Sequence, residues 1–287
     1  MAVIGVVGAG IMGTGVAQAA AQSGHQVVLT DLDAQTLDRA RSAIEHNCRM
    51  SRLLGGPAVD TEAVLDAIEF SSDLKALGSA GIVVENITEK WDLKRELYPR
   101  IDAVCDPECV FIANTSAIPI TRIASATSRP DRVVGVHFMN PVPLKNVVEL
   151  IPGHHTSEET LRRTREFLDS MGKVPVQVRD ASGFVSNRVL MLTINEAAFL
   201  VHEGVATAQA VDEVFRGCFD HPMGPLETAD LIGVDTILLS IEVLHDSFGD
   251  SKYRPCPLLK EMTDAGLHGR KTGQGFYSYA TPTPVGA

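Results

Sequence analysis

The sequence predicts an α/β protein in which a doubly wound, mostly parallel sheet is followed by an all-helical domain. Short apolar runs rich in β-branched residues alternate with amphipathic helical patterns through residues 1–182. This alternation favours parallel strands joined by helices. From residue 183 helical periodicity continues and strand patterns are almost absent. We therefore expect two domains, a nucleotide-binding domain over residues 1–182 and a helical substrate and dimerisation domain over residues 183–287.

The composition excludes several classes of function. A net charge of −11 opposes a nucleic-acid-binding surface or an anionic membrane face, and no apolar run approaches the length of a transmembrane helix. The five cysteines form no CxxC pair and have no histidines nearby at ligand spacing. This pattern favours free thiols in a reducing compartment. We expect a cytoplasmic setting and no metal site.

The first strand and helix carry a dinucleotide-binding fingerprint. The apolar run 3–7 leads into a GxGxxG at residues 8–13, and a helical pattern follows. A second predicted strand, 26–30, ends on Asp31. An acidic residue about 20 positions after the glycines, at the end of the second strand, is what the fingerprint requires. The alternative is an unrelated strand–helix turn that happens to be rich in glycine.

Each glycine of the fingerprint has its own physical role. Gly8 permits the tight turn, Gly10 lets the backbone approach a pyrophosphate at the helix N-terminus, and Gly13 lets the helix pack on the strand. Asp31 is expected to accept hydrogen bonds from the adenosine ribose and to repel a 2′-phosphate. No arginine follows among residues 32–34, so we predict NAD rather than NADP. The residues predicted here to bind NAD are Gly8, Gly10, Ile11, Met12, Gly13 and Asp31.

The remaining pattern continues as strands and helices up to residue 178 and as helices thereafter. A Gly-Gly-Pro segment at 55–57 is expected to end the long helix after the second strand. We predict strands over 82–87, 110–113, 133–137, 147–151 and 174–178, and helices over 33–54, 63–68, 91–104, 120–125, 157–171, 184–202, 207–216, 224–248 and 256–265.

Two neighbouring apolar runs carry a histidine and a carboxylate that are expected to lie side by side. The run 133–137 ends on His137, a Pro-rich turn follows, and the run 147–151 carries Glu149. If both runs are strands, the turn returns Glu149 to the side of His137. A carboxylate that accepts from one imidazole nitrogen stabilises the protonated ring and leaves the other nitrogen as a general base. The alternative is a core histidine with an acidic residue in an edge strand.

Polar residues follow several predicted strands, namely Asp31, Glu89, Ser116 and His137. Ligands of open α/β sheets bind outside the carboxyl ends of the strands, so one crevice is expected to collect these residues. Ser116 can donate or accept at a substrate hydroxyl, with capping of the next helix as the alternative. Asn187, at the start of the helical domain, is expected to face the same crevice, with a helix-terminus hydrogen bond as its alternative.

Six segments spread over nearly the whole chain carry a common resemblance. They are GAGIMGTGVAQ, NTSA, HFMNPVPLKNVVELI, GFVSNR, HPMGPLETADLIGVD and GRKTGQGFY. Together they resemble the short-chain L-3-hydroxyacyl-CoA dehydrogenases, including the bacterial 3-hydroxybutyryl-CoA dehydrogenases. The resemblance implies a Rossmann-type N-terminal domain, a helical C-terminal domain that forms a homodimer, and NAD-dependent oxidation of the 3-hydroxyl of an acyl thioester.

The resemblance also implies residue roles. His137 would be the catalytic base, Glu149 the carboxylate that orients it, and Ser116 and Asn187 the residues that polarise the substrate. His137 would remove the hydroxyl proton while hydride leaves C3 for the nicotinamide. The residues implied to contact the dinucleotide or its nicotinamide end are Glu89, Lys94, Asn140 and Lys271.

One departure concerns the group that carries the thioester. Family members acting on CoA usually have a lysine-rich segment near the end of the helix after the second strand, whereas residues 48–56 contain two arginines and no lysine. The segment 85–91, ENITEKW, is similar to a branch associated with polyketide extender-unit pathways, in which a hydroxyacyl group such as glyceryl is tethered to an acyl carrier protein. We expect a CoA thioester, with the carrier-protein thioester as the alternative.

Two other functions fit the pattern less well. Dehydrogenases of free 3-hydroxyacids place a catalytic lysine on the first interdomain helix, where this chain has Asn187 and no lysine between Lys173 and Lys252. A non-catalytic NAD-binding protein on the same fold is the third hypothesis. The presence of both His137 and Glu149 disfavours it.

Overall fold

A computed structural model describes residues 3–53 and 59–279, without the side chains of residues 51–53. The chain divides into two compact units, Met1–Ala181 and Ser182–Ala287. The predicted helix break at residues 55–57 lies outside the described residues.

The first unit contains an eight-stranded sheet of the predicted doubly wound type. Its strand order is β3-β2-β1-β4-β5-β6-β7-β8, and every neighbouring pair is parallel except β6 and β7. The order reverses between β1 and β4, the point at which ligands bind in sheets of this kind. The strands are β1 Val3–Val7, β2 Gln26–Thr30, β3 Ile68–Ser71, β4 Ile82–Glu85, β5 Val110–Ala113, β6 Val133–His137, β7 Val147–Pro152 and β8 Val174–Gln177.

Helices cover this sheet because their small and aliphatic side chains face its apolar residues. Val16, Ala17 and Ala20 of the first helix are fully buried, and so are Ile4 and Leu29 of the sheet. Alanines at these positions let the helix approach the strands closely. The helices of the first unit are α1 Ile11–Gln22, α2 Ala34–Leu53, α3 Thr61–Asp66, α4 Trp91–Val104, α5 Ile120–Ala124 and α6 Glu158–Ser170.

Two predicted elements of the first unit end two residues earlier in the structure. The helix predicted over 63–68 stops at Asp66, and Ile68 begins β3, where it pairs with Val27 of β2. A short apolar run has no periodicity that separates the end of a helix from the start of a strand. The strand predicted over 82–87 ends at Glu85, because the segment after it turns toward the glycine-rich loop.

The second unit is all-helical in the part of it that the structure describes, and it has its own core. One predicted segment, 224–248, is two helices, because the chain turns at Gly233 with φ of 111°. A side chain at Gly233 would be strained in this backbone conformation. The helices are α7 Ser186–His202, α8 Ala208–Phe219, α9 Pro225–Ile232, α10 Val234–Phe248 and α11 Pro257–Asp264.

Two buried aspartates hold the motif segments of the helical unit together. Asp212 of α8 accepts hydrogen bonds from the first N–H groups of α9 and from the Tyr277 hydroxyl. Asp230 of α9 accepts from the Phe276 and Tyr277 N–H groups and from the Tyr279 hydroxyl. Burial raises the pKa of Asp230, and hydrogen bonds to the charged form oppose this shift.

Three further properties of the described residues concern membrane insertion, metal binding and the state of the cysteines. Among residues 3–53 and 59–279, every helix is too short or too polar to cross a bilayer. The same residues contain no group of three or more histidine, cysteine or acidic side chains placed to hold a metal ion. All five cysteines are free thiols.

Candidate active site

His137 and Glu149 lie directly opposite each other on the antiparallel strands β6 and β7. Nδ1 of His137 is 2.8 Å from Oε2 of Glu149, and both side chains are buried. Opposed residues on neighbouring strands bring their side chains to the same face of the sheet, so the register alone creates this contact. The carboxylate orients the imidazole and stabilises its protonated form.

Ser116 follows β5 and contacts the other side of the imidazole. Its Oγ lies 3.1 Å from Nε2 of His137. When Nδ1–H donates to Glu149, Nε2 is an acceptor and the serine hydroxyl donates to it. Ser116 does not cap the next helix, because the residue before α5 is Pro119 and Asp180 accepts from the first N–H groups of α5.

Glu89 holds the turn that carries Ser116. Its Oε1 accepts from the N–H groups of Ser116 and Ala117, both at 2.9 Å, and from that of Ile118 at 3.3 Å. The Thr115 hydroxyl donates to the same oxygen. Glu89 therefore binds the backbone of the turn beside the candidate base. The dinucleotide contact that the resemblance implies for Glu89 stays a prediction.

Lys94 lies behind Glu89 and is fully buried. Its ammonium is 2.7 and 2.8 Å from the two carboxylate oxygens of Glu85 and 3.5 Å from Glu89. Because no part of Lys94 is exposed, the direct dinucleotide contact implied for it would require the side chain to be uncovered. Glu85 is a further residue of the site without a predicted role, although a charged residue at the end of the apolar run IVVE is a signal of the same kind as Glu149.

The glycine-rich turn has the shape that a pyrophosphate needs. Gly8 has φ of 92°, and a Cβ at Gly13 would lie 1.7 Å from the Gly8 carbonyl oxygen. A Cβ at Gly10 would meet nothing within 4 Å, so this glycine opens space for a ligand at the N-terminus of α1. The first turn of α1 has no acidic residue and no side-chain cap that would compete with a phosphate. These residues fit a dinucleotide.

Asp31 lies beside this turn at the end of β2. Its carboxylate accepts from Ala9 N–H at 2.8 Å and from Asp33 N–H at 3.1 Å. A cavity of about 400 Å³ is lined by Gly8, Gly10 and Asp31, together with the segment that follows β4. The carboxylate faces the space where the adenosine half of a dinucleotide is expected.

Asn140 and the start of α1 line a second cavity, of about 410 Å³. Asn140 is exposed, and the Asn140–Pro141 peptide bond is cis. Ile11 is 77% exposed at the beginning of α1, whereas Met12 packs against the core of the sheet. The structure thus brings Ile11 and Asn140 to one cavity but turns the Met12 side chain away from it.

Two predicted residues belong to the helical unit. Asn187 is the second residue of α7 and is half-buried. Lys271 is exposed and pairs with Asp235. Their predicted contacts with substrate and dinucleotide rest on the family resemblance.

Asn114 is a further residue of the site that the sequence interpretation left without a role. Its amide donates to Asn86 Oδ1 at 2.7 Å, and its carbonyl oxygen accepts from Phe138 N–H at 3.2 Å. Asn114 therefore connects the loops that follow β4 and β6. The turn motif Asn-Thr-Ser was the available signal, because short polar side chains after a strand bind neighbouring backbone.

Models of protein families match both units. The NAD-binding domain of 3-hydroxyacyl-CoA dehydrogenase matches residues 3–181, and the C-terminal domain of the same enzymes matches residues 183–279. The chain belongs to the 3-hydroxyacyl-CoA dehydrogenase family. This confirms the resemblance inferred from the six segments.

Individual 3-hydroxyacyl-CoA dehydrogenases are similar over their full length. A probable 3-hydroxybutyryl-CoA dehydrogenase of Deinococcus radiodurans is 47% identical, and the match covers 96% of this chain and 99% of the relative. The 3-hydroxybutyryl-CoA dehydrogenase of Bradyrhizobium diazoefficiens is 43% identical, covering 98% and 97%. The crystal structure of (S)-3-hydroxybutyryl-CoA dehydrogenase from Ralstonia eutropha has a TM-score of 0.92 and 40% identity, covering 98% and 99%.

Membership of the 3-hydroxyacyl-CoA dehydrogenase family confirms three predictions. The protein is an NAD-dependent oxidoreductase, its first unit has the Rossmann-type fold, and its cofactor is NAD. The glycine-rich turn and Asp31 are the residues that fit this cofactor.

Proposed function

We propose that the protein oxidises the 3-hydroxyl of a 3-hydroxyacyl-CoA thioester to the 3-oxo form, with His137 as the general base. The observation that carries this proposal is the continuous set of hydrogen bonds from Glu149 through His137 to Ser116. It lies at the carboxyl edge of the sheet that also carries the glycine-rich turn. The names of the relatives, which are 3-hydroxybutyryl-CoA dehydrogenases, support a short acyl chain.

In this mechanism Nε2 of His137 takes the proton of the substrate hydroxyl. Glu149 stabilises the imidazolium that results. The Ser116 hydroxyl, which donates to Nε2 when no substrate is bound, turns to donate to the substrate oxygen and holds that oxygen beside Nε2. NAD, when bound, supplies the acceptor for the hydride that leaves C3. In the reductive direction His137 returns the proton to the oxygen. Asn187 is proposed as the second residue that polarises the substrate, on the basis of the family resemblance.

A carrier-protein thioester is the second candidate substrate. The observation in its favour is the end of α2, where Arg49 stands in a segment without lysine and pairs with Glu45 on the same helix. Arg52 and residues 54–56, which complete this segment, lie outside what the structure describes in side-chain detail. Matched CoA and carrier-protein thioesters of one hydroxyacyl group, compared by kcat/KM, decide between the two carriers.

We also propose that the helical unit forms a homodimer and that the protein works in the cytoplasm. Large apolar side chains are exposed on this unit, among them Leu231 at 52% and Leu239 at 61%. Exposed large apolar side chains favour an interface where they form a patch. The cytoplasmic setting is supported by the free thiols of all five cysteines.

The decisive experiment replaces the base. We expect His137→Gln to fold normally and to lower kcat for 3-hydroxybutyryl-CoA by about 10²- to 10⁴-fold, because loss of a general base has effects of this size. NADH absorbance measures the rate, and circular dichroism checks the fold. His154→Gln, the same change at an exposed histidine, is the matched control and should keep the wild-type rate. Wild-type turnover by His137→Gln would disprove the proposed base.

A further inference from the structure

A buried ionic cluster lies between the two halves of the candidate site. It consists of Glu85, at the end of β4, with Lys94 and Tyr98 of α4. Glu85 is 1% exposed, and Lys94 and Tyr98 are fully buried. The Lys94 ammonium contacts both Glu85 oxygens, and the Tyr98 hydroxyl donates to Glu85 at 3.2 Å. Burial raises the pKa of Glu85, and the charge of Lys94 opposes this shift.

A buried pair of this kind is weak evidence for a role in stability. The cost of removing two charges from water cancels most of their attraction, and well-packed apolar residues often serve as well. The other contacts of Lys94 and Glu85 are therefore more informative than the pair itself. They reach the turn of Ser116 on one side and the loop that lines the dinucleotide cavity on the other.

On one side the cluster reaches the turn of Ser116. The Lys94 ammonium is 3.5 Å from Oε2 of Glu89, whose other oxygen accepts the N–H groups of residues 116–118. Without a cation behind it, a carboxylate that is partly withdrawn from water would reorient toward solvent. The charge of Lys94 thus keeps Glu89 directed at the turn, and the turn keeps Ser116 Oγ against His137.

On the other side the cluster reaches the dinucleotide cavity. Oε1 of Glu85 accepts from Ile87 N–H at 2.7 Å. Residues 86–88 line the same cavity as the glycine-rich turn. One buried lysine is therefore connected to the loop on the cofactor side and to the turn on the substrate side.

We propose that Lys94 is a positioning residue that, held by Glu85 and Tyr98, fixes Glu89 and thereby sets Ser116 against the catalytic base. This inference rests on the proposed function, since it assigns Lys94 a role in that reaction. It differs from a direct contact between Lys94 and the dinucleotide, and from a role in stability alone.

A double-mutant cycle between Lys94 and Ser116 separates these possibilities. We expect Lys94→Met to lower kcat for 3-hydroxybutyryl-CoA by about 10- to 100-fold, because displacing an oriented group by about 1 Å has effects of this size. In the Ser116→Ala background the same change should lower kcat by less than about twofold, because residues that act through one another are not additive. The Kd for NADH, measured by fluorescence, should change by less than about threefold in the Lys94→Met variant, because the bond to the cofactor-side loop is made by Glu85, which still accepts from Ile87 N–H.

A charge-balanced variant separates positioning from folding. Glu85→Gln with Lys94→Met removes the anion and the cation together, so the thermal midpoint should recover relative to Lys94→Met alone. The value of kcat should stay low, since Glu89 still lacks its cation. Lys173→Met is the matched control at a second buried lysine, whose ammonium binds the carbonyl groups of Val142 and Lys145. Lys173→Met should change kcat by the same factor in the wild-type background and in the Ser116→Ala background.

The outcomes that overturn the inference are distinct. Equal effects of Lys94→Met in both Ser116 backgrounds, or recovery of kcat together with stability in the charge-balanced variant, would leave Lys94 a structural residue. A large loss of NADH affinity at unchanged kcat would make it a cofactor contact. An inactive wild-type protein that still binds NADH would instead contradict the proposed function, and the inference with it.

Discussion

His137 owes its environment to residues that are distant along the chain. Glu149 is 12 residues away and Ser116 is 21 residues away, yet their side chains bond to opposite nitrogens of one ring. Glu149 contacts the ring from within β7, directly opposite His137, and Ser116 contacts it from the turn that follows β5. An imidazole held at both nitrogens is pre-organised, so little ordering remains to be done when substrate binds.

Asp31 gives a prediction about cofactor choice. Removing the carboxylate in Asp31→Ser should reduce the preference for NAD over NADP by at least about tenfold, or about 1.4 kcal/mol, because repulsion of the 2′-phosphate is lost. The ratio of kcat/KM for the two cofactors measures this change. Asp33→Ser removes a nearby carboxylate that caps α2, and it should leave the ratio unaltered. An unchanged ratio in Asp31→Ser would show that another residue selects the cofactor.

At the scale of elements, α4 supports the site from two directions. Its first half carries Lys94, and its last turn carries Asp102, which pairs with Arg129. The Arg129 guanidinium also donates to the Asp102 carbonyl, and Asp102 accepts from the N–H and hydroxyl of Ser128. These contacts tie α4 to the segment that enters β6, the strand of His137.

Asp102 gives a pH-dependent prediction. Burial alone would raise the pKa of Asp102, but the hydrogen bonds from Ser128 and the charge of Arg129 outweigh it and lower the pKa. A lowered pKa in the folded state contributes stability above the ordinary value of 3.8, and this contribution is lost as the pH falls through the folded-state pKa. Asp102→Asn should therefore lower the free energy of unfolding at pH 7 by about 1.5–3 kcal/mol, and by less at pH 3.5.

Urea unfolding of Asp102→Asn and wild type at pH 7, 5 and 3.5 measures this difference. Asp106→Asn, at an exposed aspartate just after α4, is the control and should change the free energy of unfolding by less than about 0.5 kcal/mol. An equal deficit for Asp102→Asn at all three pH values would rule out the charged form of Asp102 as the source of stability.

At the scale of the whole molecule, each unit has its own core and its own exposed features. The sheet unit holds the dinucleotide cradle, the candidate base and the buried cluster. The helical unit holds Asn187 and Lys271, and its outer residues include several large apolar side chains. Apolar side chains that stay exposed on a folded unit favour association, and the family resemblance implies a homodimer.

Leu239 of α10 tests the proposed dimer. A lysine at this 61% exposed position should break the interface, because a charge would be buried without a partner. Leu239→Lys should then sediment with the monomer mass of 30.8 kDa, whereas we expect twice that mass for the wild type. Asp246→Lys, at an exposed residue of the same helix, is the control and should remain dimeric. A wild-type protein of monomer mass would contradict the dimer itself.

The local pattern of the sequence was sufficient to predict most of the fold. The bounds of β1, β2, β5 and β6 and of α4 match the predicted ranges, because apolar period and turn residues are properties of the chain itself. It was insufficient for β3, whose short run has no clear period and becomes a strand by pairing with β2. It was also insufficient at Gly233, where a glycine within a continuous helical pattern ends one helix and begins the next.

In the site, too, the local pattern predicts some features and tertiary packing decides the others. The glycine-rich turn, Asp31, Ser116, His137 and Glu149 could be named from the sequence, since each follows or lies within a recognisable strand. Their chemical roles stay predictions that the variants above test. The environment of Lys94 could not be foreseen, because its partners Glu85 and Glu89 are equally plausible as exposed carboxylates in the sequence. Only packing of α4 over the end of β4 removes Lys94 from water, and burial makes its two carboxylate contacts obligatory.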